Sequence, residues 1–174
     1  MDNSFFAYLQ RLELLAFFSG YPLIYTVIFF IAGNQPLKNS FKSRIVTLLP
    51  FAYALIGSLY LGLQLRKLYP DYSIENIHRT IQQPWLMIWG LLSILFWIPA
   101  LGKKPIFSLL HSLVFFFLLV KDIFSQLSAP YKDNIRNDMS VYTVSLLLNL
   151  GAIALIALLS FLYTHYKKHF KLNH

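Results

Sequence analysis

Apolar runs separated by polar segments no longer than about twenty residues constrain this chain more than any motif does. No polar segment approaches the roughly 50 residues that a compact soluble domain needs, so any function uses spans, short loops and a tail. Charged residues make up 13% of the chain against about 25% in soluble domains, and hydrophobic residues make up 57%. The expected fold class is all-α: a polytopic integral membrane protein, built as one transmembrane domain over residues 1–174. Its five-helix bundle has spans near 6–33, 45–65, 85–101, 105–129 and 141–163. A basic tail follows at 164–174.

The run from Pro105 to Ala129 is the anomalous one. Ile106 to Val120 covers about 22 Å as a helix, short of a hydrocarbon core of about 30 Å, so the span must take in Lys121 and Asp122. At 100° per residue Asp122 lies about 20° around from His111, and Ser108, Ser125 and Gln126 fall within about 60°. Lys121 and Asp122 point about 100° apart and need separate partners. Alternating spans bring the start of the first helix to the same depth, which predicts Arg11 for Asp122 and Glu13 for Lys121. Asn149, with Ser58 and Ser93, completes a predicted polar layer. Ionisable groups in a bilayer face a protein interior or water, so the layer reads as the wall of an aqueous path or as a structural ion-pair cluster.

The other segments supply local rules. Gly20-Tyr21-Pro22 predicts a kink near Tyr21, because proline lacks a donor and clashes one turn back. In the second loop Ile74, Ile77 and Ile81 recur at helical spacing, which predicts a short amphipathic surface helix with Ser73 as its N-cap. Trp85 reads as an interfacial anchor; Trp89 and Trp97 need partners deeper in. Small residues recur as Ala54, Ser58 and Gly62, then as Gly151, Ala154, Ala157 and Ser160, the spacing that lets helix backbones approach closely.

Charge sets the expected orientation. One side receives Lys38, Lys42, Arg44, Lys103, Lys104, Lys167, Lys168 and Lys171 and no acid; the other receives seven basic residues and all seven acids. Basic short loops mark the cytoplasm, placing the N-terminus outside and the tail inside a bacterial inner or plasma membrane. No basic n-region or cleavage site precedes the first span, which predicts no removable signal peptide. The positive face suits membrane lipids, or an anionic cytosolic ligand such as a nucleotide, a short oligonucleotide or an acidic protein. Phe41, Tyr163, Tyr166 and Phe170 interleave with its lysines.

Catalytic signatures are absent: there is no HExxH, GxSxG or P-loop. Cysteine is also absent, which excludes thiolate metal sites, cysteine nucleophiles and disulfides. His165 and His169 have metal-ligand spacing without a third ligand. Lys121 lies too near one end of its helix to suit a Schiff-base chromophore. No cofactor or metal is expected. These features predict a non-enzymatic, homo-oligomeric channel or pore-forming effector, regulated at its basic face. The alternative is a non-conducting structural or adaptor subunit of a larger membrane complex. An intramembrane enzyme would need His111 and Asp122 to converge on one pocket.

Overall fold

The computed structural model describes residues 3–32, 41–127 and 135–172, and the described residues are helical with no strand. In chain order they form α1 (Asn3–Phe18), α2 (Tyr21–Ala32), α3 (Phe41–Leu68), α4 (Ile74–Thr80), α5 (Pro84–Leu91), a 3-10 segment (Leu92–Trp97), α6 (Pro99–Gly102), α7 (Pro105–Leu127) and α8 (Ile135–Leu172). Among the described residues four helical stretches are long and apolar enough to cross a membrane: Phe6–Phe30, Arg44–Leu68, Pro105–Ser125 and Met139–Lys167. An integral membrane protein follows from their length and composition.

The third apolar run departs from the single helix expected over 85–101. It becomes α5, the 3-10 turns and the four-residue α6, with Ile98 extended at φ −70°, ψ 124°. Pro99 accounts for the extended Ile98, since a residue before proline is pushed out of the α region. The broken segment runs along α3 in the reverse sense, with Ser93 against Gly57 and Gly102 against Phe51. Trp97 Nε1 donates to Ser58 Oγ at 3.0 Å, which supplies one of the tryptophan partners the sequence requires.

The kink falls at Ser19–Gly20, between α1 and α2. Breaking a helix there strips partners from the Gly20 amide and the Phe17 carbonyl, and α8 replaces both. Gly20 N donates to Ser145 Oγ at 2.8 Å, and Asn149 Nδ2 donates to Phe17 O at 2.9 Å. A Cβ on Gly20 would stand 2.8 Å from Leu146 N, so only glycine permits this approach.

The core is rich in aromatic side chains. Phe18 of α1 stacks on Phe115 of α7 with centroids 4.8 Å apart, and meets Tyr53 and Tyr60 of α3 edge-on at 5.8 and 5.5 Å. The inward small-residue positions differ from those expected. Ala54 is buried, but a Cβ at Gly62 or Gly151 would meet nothing within 4 Å, and Ala154 is exposed. Within the chain the close contacts are made by Gly57 on α3 and by Ser145 and Ala152 on α8, on stripes beside the two small-residue lines, and by Gly20 at the kink. Ala157 is half-buried.

At the loop between α3 and α5, Ser73 caps α4 as expected: it has extended backbone, and its Oγ accepts from Asn76 N at 3.3 Å. The helix has seven residues.

Candidate functional site

Charges gather at the end of the bundle where α1 begins and where α3 and α7 finish. Arg11 Nη2 donates to Asp122 Oδ1 at 2.6 Å, with side chains 26% and 19% exposed, the pairing predicted from depth alone. Glu13 does not take Lys121. It pairs with Lys67, because α3 continues to Leu68 and carries that lysine alongside α1. Lys121 and Ser125 are exposed on the outside of α7.

The rest of the predicted layer divides into separate contacts. Asn149 is buried against the kink, about 9 Å of helix deeper than Arg11 as measured by its partner Phe17. Ser58 Oγ donates to Ala54 O and Ser93 Oγ to Gly90 O. His111 sits about 16 Å along α7 from Asp122, too far to share a pocket with it. Its Nδ1 shares a 2.8 Å hydrogen bond with the Tyr53 hydroxyl. The Trp89 indole lies parallel to the imidazole with centroids 4.8 Å apart, while Trp89 Nε1 donates to His111 O at 3.3 Å. One turn away Ser108 Oγ donates to Pro105 O and accepts from Tyr21 OH at 2.8 Å. His111 and Ser108 therefore join α7 to its neighbours within the chain. The side chain of Gln126 lies outside the described residues.

A cleft of about 820 Å3 opens at the charged end. Phe6, Leu9, Gln10 and Glu13 of α1 form one wall, Lys67 the second, and His78, Thr80 and Gln82 the third. Gln10 holds the third wall in place. Its Oε1 accepts from Gln82 N at 2.8 Å and Gln83 N at 2.9 Å, and its Nε2 donates to Thr80 O. Gln83 Nε2 returns a bond to Ala7 O at 3.3 Å. Sequence reasoning missed Gln10 and Lys67. The available signal was their spacing: Phe6, Gln10, Glu13 and Phe17 share one stripe of α1, and a buried amide on an apolar helix requires partners.

At the opposite end Arg44, Lys103, Lys104 and Lys167 are exposed. Arg44 borders a smaller cavity of about 180 Å3 between α3 and α8, beside Leu48 and Ser160. Lys104 Nζ lies 5.4 Å from the Phe107 ring centroid. Lys38 and the side chains of Lys42, Lys168, His169, Phe170 and Lys171 lie outside the described residues. Among the described residues no group of three or more His, Cys, Asp or Glu could hold a metal ion. Compared with known proteins, the chain matches no family model, no curated protein and no solved structure.

Proposed function

We propose that this chain is a five-pass membrane protein that works by binding, holding an amphiphilic ligand in the cleft at its outer end. The cleft carries the reading. Its volume lies within the roughly 300–1,000 Å3 of ordinary ligand sites, and it joins exposed apolar side chains to a few placed polar groups. The fifth pass is the broken segment from Pro84 to Gly102. Its support is the antiparallel course along α3, from the Gln10 level at one end to Phe51 at the other. The basic end then faces the cytoplasm, and α4 lies at the outer surface, with Ile74 largely exposed towards lipid.

The reading is tested on chain extracted gently from membranes. Native mass spectrometry should find an amphiphile retained by the unaltered protein and lost from Leu9→Trp, which fills the cleft from an exposed position. Identical spectra would reject the cleft as a binding site.

A second reading, an oligomeric channel, draws on the outward positions of Gly62, Gly151 and Ala154 and on the exposure of Lys121 and Ser125. Copies packed on those faces would place Lys121 at an axis between chains. Liposomes should then conduct, and Lys121→Met should alter ion selectivity. Silent liposomes, with a partner protein recovered in fixed ratio, favour an adaptor instead.

A further inference from the structure

The seam below the Glu13–Lys67 pair holds more hydrogen-bonding groups than the protein uses. Tyr60, Gln64 and Lys67 lie within about 60° of one another on α3. The Tyr60 ring meets Phe17 and Phe18 at 5.3 and 5.5 Å, so this stripe faces α1. Gln64 is 4% exposed and Tyr60 fully buried, yet Gln64 Nε2 and Tyr60 OH have no hydrogen-bond partner among the described residues. Burying a polar atom unpaired is costly, so nearly all such atoms in proteins are satisfied. Lys67 stands one turn along this stripe from Gln64 and pairs with Glu13 on the cleft wall, which ties the seam to the cleft above it.

Charge selects the ligand class. Glu13 and Lys67 are each other's partner. An anion that engaged Lys67 would leave the Glu13 carboxylate unpaired, and a cation on Glu13 would strand Lys67. A zwitterion exchanges one internal pair for two and adds no net charge to a partly desolvated site. Phe6 and Leu9, 45% and 40% exposed on the same wall, give an apolar portion a surface leading out to lipid.

We infer that the cleft takes the head group of an ethanolamine phospholipid. The ammonium sits on Glu13, the phosphate oxygens accept from Lys67 Nζ, and the acyl region runs over Phe6 and Leu9; Gln64 Nε2, buried one turn below Lys67 behind the cleft wall, is reached by a phosphate oxygen as the Glu13–Lys67 pair parts. This rests on the cleft being the binding site proposed above. Its ammonium–phosphate chemistry is shared with free phosphoethanolamine, and the test separates the two sources.

The full chain is returned to vesicles carrying ethanolamine, choline or glycerol phospholipids with identical acyl chains, and retained lipid is read by native mass spectrometry. Ethanolamine lipid should be retained about tenfold over the others: choline has no N–H to donate, and the glycerol head has no cation. Glu13→Gln and Gln64→Leu should each reduce that preference to within about twofold, at unchanged helicity by circular dichroism. Glu13 is partly exposed, so its variant keeps the test decisive if Gln64→Leu fails to fold. Equal retention of all three lipids, with Leu9→Trp lowering each, overturns the zwitterion and spares the cleft. No effect of Leu9→Trp overturns both. Displacement of the lipid by equimolar free phosphoethanolamine overturns the membrane source.

Discussion

Arg11 and Asp122 illustrate what one residue pair contributes at the edge of a low-dielectric region. Removing Arg11 alone leaves a carboxylate that is four-fifths shielded and, among the described residues, has no other cation at contact distance. Arg11→Met should therefore cost roughly 2 kcal/mol in thermal or denaturant unfolding in detergent, a value reduced for partial exposure. Arg11→Met combined with Asp122→Leu should recover most of it, and an additive double variant would show that the two residues are not coupled. This pair was legible in the sequence because a short carboxylate inside an apolar run must find a cation at its own depth. Glu13 was not. Depth pointed to Lys121, and Lys67 reached Glu13 because α3 extends past residue 65 and turns that lysine towards α1.

Elements obey the same division. Run length marked the four long helices, and Gly20-Tyr21-Pro22 marked the kink, because proline chemistry acts locally. The inward face of each helix was not legible from spacing, since two neighbouring stripes of α8 both carry small residues and packing alone decides between them. Glycine substitutions separate the faces. Gly20→Ala should destabilise the bundle by roughly 2 kcal/mol or more, because the new methyl meets α8 backbone that cannot swing aside. Gly151→Ala meets open space and should be neutral, or stabilising by up to about 1 kcal/mol through helix propensity. Equal melting temperatures for the two variants would contradict the assignment of faces.

For the whole molecule, the passage count turns on the segment from Pro84 to Gly102. The natural chain has no cysteine, so single cysteines report sidedness without background. With five passes, Ser73→Cys should react with an impermeant thiol reagent from outside only, and Lys104→Cys from inside only. Reaction of both from outside would reduce the count to four and put the C-terminal tail outside. Composition sufficed to mark the chain as membrane-embedded, whereas the course of this segment depended on a proline bend and on contacts with α3 some forty residues away in sequence.

Gly20 and Phe17 rely on α8 for the groups that complete their kink, and that reliance imposes an order on biogenesis. Ser145 lies 125 residues beyond Gly20, so at about 5–20 residues per second the ribosome needs on the order of ten seconds to supply it. A first span that took up its kink before then would carry an uncapped amide and carbonyl in the bilayer. Whatever shelters them, whether translocon wall, insertase or water at the lateral gate, must let go only when the last helix arrives.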